Sequence, residues 1–441
     1  MTLRTDIKHD TQGHASPVRL INRWCKVAPP HNCNWAQVVI LLNFIVLILI
    51  GMVVIFINWP QIPQNLSFDE VEFAKLALSL QNRSFTIYSN LATGHSTLYF
   101  YILLASMKIF GITRFALRLP SAIFGIFSIV VIYLIFGQIF TSQDKKRSLW
   151  VIFLSILTLA TSHWFVNFAR FSFEATLLLL LELITILFLF YYRQKNRLIF
   201  LALSGVMAGL AFNSYTPGRI FFLLPLLYLI IRKAPLKIKL TALFSYGVPF
   251  LLLALPLSLY LLTHQDTRLT TLAYLQNANL NWLIKVQYFS QNLLSTLGMF
   301  VFRGDLNGRQ NYPGKLAINP VMGIFFLVGL LIAFKNRHRF FNIFFIMYLI
   351  ISLTPALFTY PNENPHMLRT FTALPGVVYF ISQSLIYFLK KRTRFYKILA
   401  MLILVIGLSC LYELRTYFVY QTQVFPQAFE MKGQLIKLVS K

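Results

Sequence analysis

Acid is scarce in this sequence: 13 aspartates and glutamates stand against 40 lysines and arginines in 441 residues. Cysteine is nearly missing as well, with Cys25 and Cys33 in the polar N-terminal stretch and Cys410 inside an apolar run near the other end. Cysteines so few and so placed exclude a disulfide framework. Cys25, His31 and Cys33 lack the second paired half of a structural metal site, so no metal is assigned to them. Charged residues make up only 12% of the chain, too few to coat a soluble protein of this length. No glycine-rich phosphate loop of Walker or Rossmann type, zinc-ligand spacing or nucleophile elbow is found, which excludes nucleotide chemistry on a soluble fold. The net charge of +27 is not a nucleic-acid footprint either, because the basic residues fall in short clusters between apolar runs.

Apolar sequence is what is present in abundance: 57% hydrophobic residues and a mean hydropathy of +0.66. The chain reads as an all-α, polytopic integral membrane protein. Runs near the 20 residues that a bilayer requires occur at 36–59, 117–140, 149–168, 173–192, 198–214, 218–232, 238–262, 317–334, 340–359, 367–389 and 396–412, with a shorter one at 97–112. Basic clusters at Arg19/Arg23/Lys26, Lys145–Arg147, Arg193/Lys195/Arg197, Arg232/Lys233/Lys237/Lys239, Lys335/Arg337/His338/Arg339 and Lys390/Lys391/Arg392/Arg394/Lys397 mark the cytoplasmic side. If 97–112 crossed the membrane, every cluster after the first would face outward. If it lies in the interface, all of them face the cytoplasm, so it is expected to be a surface helix.

That gives about 11 spans by length and charge bias. The expected layout is a cytoplasmic N-terminal tail over 1–35 and a transmembrane catalytic module over 36–412, with outer loops 60–116, 263–316 and 360–366. An extracytoplasmic tail over 413–441 follows, lying along the interface with no assigned chemistry. The first apolar segment follows a long polar stretch rather than a cleavable leader, and is expected to stay as an anchor. The sequons at Asn65 and Asn82 would face outside.

On that layout the scarce acids gather in outer loops. Asp69, Glu70 and Glu72 open the first of them, at the start of a helical pattern. Glu72 reads as a first-turn acid favoured by the helix dipole; Asp69 and Glu70 read as functional, since scarce acids near lipid are costly. Glu174 lies four residues after Arg170, so an ion pair between them stands beside a functional role. Glu182 sits inside an apolar run and should face the bundle interior, protonated or with a partner that the sequence does not name. The outer loops also carry His95, Arg118, Arg170, Arg219, Arg303, Arg309, Lys315, His366 and Arg369, with Asp305 among them. Arginine forks suit phosphate oxygens, which points to an anionic, phosphorylated substrate.

Several motifs, in consistent order over most of the chain, resemble the GT-C superfamily of membrane glycosyltransferases. They are most similar to the bacterial relatives of protein O-mannosyltransferases and of the lipid A aminoarabinose transferase. They are Phe68-Asp69-Glu70, Gly94-His95-Ser96-Thr97, Leu117-Arg118-Leu119-Pro120, Ala169-Arg170-Phe171 with Glu174, Tyr215-Thr216-Pro217-Gly218-Arg219, Arg303-Gly304-Asp305, Arg309 to Gly314, and Pro365-His366-Met367-Leu368-Arg369. The chain departs from that family where Ser96 and Thr97 stand in place of two prolines, and where Glu174 stands in place of an aspartate.

The resemblance implies a sugar donor on a polyprenyl phosphate and single-displacement, inverting transfer to an acceptor hydroxyl on a protein, lipid or glycan. One general base suffices for that chemistry, and Asp69 is the candidate. Glu70 and Glu174 are assigned to acceptor or sugar hydroxyls. His95, Arg118, Arg170, Arg219, His366 and Arg369 are candidates for the donor phosphate, and Arg303, Asp305 and Arg309 for a substrate loop. Clustered acids are compatible with Mg or Mn; the resemblance argues against an obligatory ion, and no cofactor is assigned. A lipid-linked-sugar transporter or flippase, or a non-catalytic subunit of the same fold, are the alternatives. Midplane polar groups and inverted repeats would favour transport.

Overall fold

Lipid offers no partners for backbone polar groups, so apolar runs of this length close their hydrogen bonds internally as helices. The computed structural model describes residues 30–440 apart from 82–83, 141–143 and 391. Most of the expected 1–35 tail, Cys25 and the sequon at Asn82 therefore lie outside the described residues. The chain divides into two compact units, Met1–Val46 and Leu47–Lys441. In the first, the described residues begin helix α1 (Pro30–Phe56). The second holds the remaining elements.

After α1 come α2 (Phe68–Ser79), a two-stranded antiparallel ribbon of β1 (Tyr88–Ser89) and β2 (His95–Ser96), and α3 (Leu98–Phe110). Then follow α4 (Arg114–Ile139), α5 (Lys145–Thr161), α6 (His163–Arg170), α7 (Ala175–Lys195), α8 (Leu198–Phe212), α9 (Gly218–Ile231) and α10 (Leu236–Thr263). The last part comprises α11 (Thr267–Leu272), α12 (Trp282–Gly298), α13 (Pro320–Lys335), α14 (Phe340–Leu357), α15 (Leu374–Phe388), α16 (Phe395–Ala428) and α17 (Leu435–Val439).

Among the described residues, seven helices are long and apolar enough to cross a membrane, or eight if α5 and α6, bent by 53° at Ser162, form one span. Helices α8, α9 and α13, which the apolar runs also mark as spans, are shorter, as is α3. Among the described residues, seven or eight spans thus meet that length, and α8, α9 and α13 are the apolar helices that stand where the expected count of about 11 has further spans. The last long helix also continues past 412, through a π-helical stretch at Thr416–Gln421 to Ala428. Most of the expected C-terminal tail is therefore helix.

Small residues let the helix backbones approach one another. On α8, Gly205 faces the Tyr246 carbonyl of α10, where a Cβ would collide with backbone; Gly329 on α13 meets the Phe380 carbonyl of α15 in the same way. Glu182 of α7 finds its partner in α14, where the Tyr348 hydroxyl donates to its carboxyl group at 2.9 Å. This neutral donor leaves Glu182 outside the acid and arginine groups described below.

Candidate active site

Helix α2 starts with a capping box. The Ser67 hydroxyl accepts from the Glu70 N–H, and the Glu70 carboxyl group accepts from the Ser67 N–H, so two orphan donors of the first turn are satisfied reciprocally. Asp69 and Glu70 are adjacent on this turn, and successive helical residues point about 100° apart. Glu70 turns inward against α4: Arg118 reaches it with Nε at 2.8 Å and Nη2 at 2.9 Å, and both side chains are wholly buried. The Ser172 N–H adds a bond of 3.1 Å.

The other donors of Arg118 go to the carbonyls of Pro60 (3.0 Å), Pro63 (2.6 Å) and Asn65 (2.8 Å). All five guanidinium N–H groups are therefore engaged inside the protein. This corrects the expectation that Arg118 is a phosphate ligand and Glu70 a hydroxyl ligand, for neither retains a free hydrogen-bonding group facing solvent.

Arg170 departs from expectation for the same reason. Its Nη1 donates to the carbonyls of Val54 and Ile55 in the last turn of α1, and its Nη2 to those of Ile57 and Ile62 in the loop that follows. Terminal carbonyls have no intrahelical donor, and a cation there complements the helix dipole. Arg170 ties down a helix end and does not pair with Glu174.

Glu174 is instead 3.0 Å from the His95 Nδ1 of β2, with Arg268 at 4.0 Å. The other ring nitrogen, Nε2, lies 2.8 Å from the Ala92 carbonyl. Burial pulls the imidazole down from its ordinary value, Glu174 opposes this, and Arg268 adds to it. Arg268, in α11, touches the same ring through Nη1 at 2.6 Å and stacks over Tyr215. Asp266 caps α11 and binds Arg219 and the Tyr88 hydroxyl. These contacts, with burial opposing them, hold its carboxyl group below the usual range. Arg268 and Asp266 were missed from sequence because they sit in a short helix with no motif of its own.

The loop after α12 completes the group. Asp305 accepts from the Asn307 and Met367 N–H groups at 2.8 Å each, and burial pushes its carboxyl group up to about 6. Asp305 thus fastens the loop to the Pro365–Arg369 turn. Arg309, held by its carbonyl to Asn167 of α6 (2.8 Å), reaches Asp69 at 2.5 Å. Their side chains keep 43% (Asp69) and 29% (Arg309) of their accessible surface. Gln310 contacts His366, and Arg369 binds Glu363 and the Thr359 hydroxyl. Arg303 is exposed, away from this cluster of bonds.

Electrostatics mark these groups as one site. The Asp69 carboxyl group is raised by desolvation, pulled back by Arg309 and Arg268, raised again by Glu430, and lowered by His95. His366 is held well below its usual range by burial and then by Arg369, Arg268 and Arg309. It is therefore neutral at pH 7. Arg309 and Arg268 thus act on a half-exposed carboxylate and, with Arg369, on the His366 imidazole, an arrangement suited to an anion beside a group that accepts a proton.

The carboxylates of α2 do not converge on one point, since Glu72 pairs with Lys75 and Glu70 with Arg118. Among the described residues no group of three or more His, Cys, Asp or Glu side chains is placed to hold a metal ion.

Residues 94–275 match the model of the dolichyl-phosphate-mannose-protein mannosyltransferase family, less than half of the chain. The matched stretch contains His95, Arg118, Arg170, Glu174, Arg219, Asp266 and Arg268, but neither Asp69 nor Arg309. No curated protein sequence matches the chain. Among solved structures, the apo oligosaccharyltransferase of Archaeoglobus fulgidus is 13% identical with a TM-score of 0.53, covering 90% of this chain and 56% of its own. The same enzyme tethered to an acceptor peptide gives 14%, 0.52, 89% and 56%. ArnT of Cupriavidus metallidurans bound to undecaprenyl phosphate is 11% identical with a TM-score of 0.50, covering 91% of this chain and 77% of its own. The chain thus spans little more than half the length of the archaeal enzyme. Identities this low show a shared fold alone, a helical membrane fold.

Proposed function

We propose that this chain, a GT-C relative of the protein O-mannosyltransferases, transfers a sugar from a polyprenyl-phosphate donor to an acceptor hydroxyl at the outer face of the cell membrane. Its N-terminus would be cytoplasmic. The observation that carries this reading is Asp69, a half-exposed carboxylate held 2.5 Å from Arg309 within reach of the charge of Arg268. A glycosyl phosphate is already a good leaving group, so its departure needs cations rather than an acid. Arg268, Arg309 and Arg369 supply them in a partly dry cleft where charge stabilisation is strong.

In the proposed step Asp69 accepts the proton of the acceptor hydroxyl as its oxygen attacks the anomeric carbon. The carbon–phosphate oxygen bond breaks on the opposite side, and the electron pair leaves with the lipid phosphate. One base with no second carboxylate placed as a nucleophile gives inversion. An arriving phosphate competes for Arg309 and so frees the Asp69 oxygens to act. Glu174 holds His95 and Arg268, Arg219 holds Asp266, and Glu70 with Arg118 sets the angle of the turn that presents Asp69. The resemblance of the structure bound to undecaprenyl phosphate supports the donor class; the sugar and the acceptor stay unassigned between protein, lipid and glycan.

Proteoliposomes containing the purified chain and a radiolabelled polyprenyl-phosphate sugar test this reading. Sugar transferred to acceptor with inverted anomeric configuration is expected. Lipid scrambling without transfer contradicts it and selects the flippase alternative.

A further inference from the structure

The segment after α16, which carries no motif, returns to the turn that presents Asp69. Helix α16 ends at Ala428, and Phe429 leaves the helical conformation with its side chain fully buried. The Phe429 ring packs against Phe171 and Phe425, with the Arg118 guanidinium 5.8 Å from its centroid. It is thereby wedged beside the Glu70–Arg118 pair. Beyond it the chain runs antiparallel to residue 66, with Met431 N–H to Leu66 carbonyl at 2.9 Å and Leu66 N–H to Met431 carbonyl at 3.2 Å. Between these bonds, the Glu430 carboxylate accepts the Phe68 N–H at 3.1 Å. Gly433, at φ +122°, then turns the chain into α17, whose Leu435 is buried.

The Phe68 N–H is the first of α2 and has no intrahelical acceptor. Ser67 and Glu70 close two other donors of that end, and Glu430 closes this one from 362 residues away. We propose that the C-terminal segment is part of the active site, with Glu430 as a positioning residue that holds the first turn of α2 so that Asp69 faces Arg309 and the acceptor. The inference rests on the reading of Asp69 as the base. Glu430 also adds negative charge beside Asp69 and makes it a better proton acceptor.

The other charged groups around Asp69 come from every neighbouring element. On α2, Glu72 is paired with Lys75 and Glu70 with Arg118. Arg309 faces it from its loop, Arg268 from α11 and His95 from β2. Lys432 and Lys437 in the C-terminal segment are exposed. Glu430 is therefore the group whose loss removes negative charge without touching the cations of the cleft.

Infrared titration of the full chain labelled with [13C]aspartate, in lipid nanodiscs, reads this directly, with Asp69→Asn identifying the Asp69 band. Glu430→Gln keeps an acceptor for Phe68 but removes the charge, and the Asp69 midpoint is expected to fall. Glu430→Ala, which also removes the acceptor, is expected to speed hydrogen exchange in the peptide containing Phe68 as well. Glu430→Asp should recover part of both effects, and Glu72→Gln, on the same helix, should leave the exchange unchanged. An unmoved midpoint in Glu430→Gln together with unchanged exchange in Glu430→Ala overturns the inference while leaving the base reading intact. Full transfer activity in Asp69→Asn overturns the base reading and the catalytic meaning of the strap with it.

Discussion

Glu70 meets Arg118 with both side chains closed to solvent, whereas Asp69, one residue earlier, meets Arg309 with 43% and 29% of their side-chain surface still open. The residue chemistry of the two pairs is nearly the same. Their surroundings differ: Arg118 donates in addition to three carbonyls, and Glu70 accepts in addition from two backbone N–H groups. A buried pair with every donor occupied is a strut, because no group is left to meet a ligand and removal of one partner strands the other. An open pair contributes little to folding and keeps lone pairs and N–H groups that a substrate can claim. In a protein with so few acids, the same type of ion pair is closed at one position and open to a ligand at the next, which is what the proposed role of Asp69 requires.

The sharpest way to break this contrast is to remove one member of the closed pair. Arg118→Ala leaves Glu70 buried without its cation and should cost about 3–5 kcal/mol of stability, seen as loss of folded protein in detergent unfolding curves. A variant as stable as the native chain would show that the pair is no strut.

In the open pair, Arg309→Ala should cost at most about 1 kcal/mol of stability. Its transfer rate should nevertheless fall about 10²–10³-fold, as when one preorganised donor to developing charge is lost. Steady-state rates compared with unfolding curves of the same preparation check this. Equal losses in both would erase the distinction.

Asp305 supplies the case of a buried acid held by backbone donors rather than a paired cation. Its folded-state value of about 6 lies above the unpaired 3.8. Between those values the folded chain keeps a proton that the unfolded chain has released. The Asp305 contribution to stability is therefore full below the lower value, falls as pH rises through the window, and is level above about 6. Unfolding curves from pH 4 to 7 should show this slope in the native chain and a flatter one in Asp305→Asn. Identical slopes would contradict it.

Much of the fold is legible in the sequence because long apolar runs and clustered basic residues report membrane helices directly. Helices α8, α9 and α13 nearly fill the apolar runs that mark them and are short because those runs are themselves below the roughly 20 residues of a full span. Asp69 stands out in the sequence through the scarcity of acids and the motif around it, and the structure places it beside Arg309. The roles of Arg118 and Arg170 are not legible there, because charge and position are the same whether the N–H groups of an arginine face a cleft or the carbonyls of a folded loop. Arg268 and Asp266 escape notice because the stretch between α10 and α12 has no repeating pattern and gains its meaning only when α11 packs beside His95. Glu430 is further out of reach: nothing local links it to a turn 362 residues earlier.

The most direct test of the account is the rate of sugar transfer from a polyprenyl-phosphate donor by Asp69→Asn, normalised to folded protein. The substitution keeps shape and hydrogen bonding but removes the base, so the rate should fall about 10²–10⁴-fold while the unfolding curve stays where it was. Transfer at the native rate by that variant would contradict the assignment of Asp69 as the base.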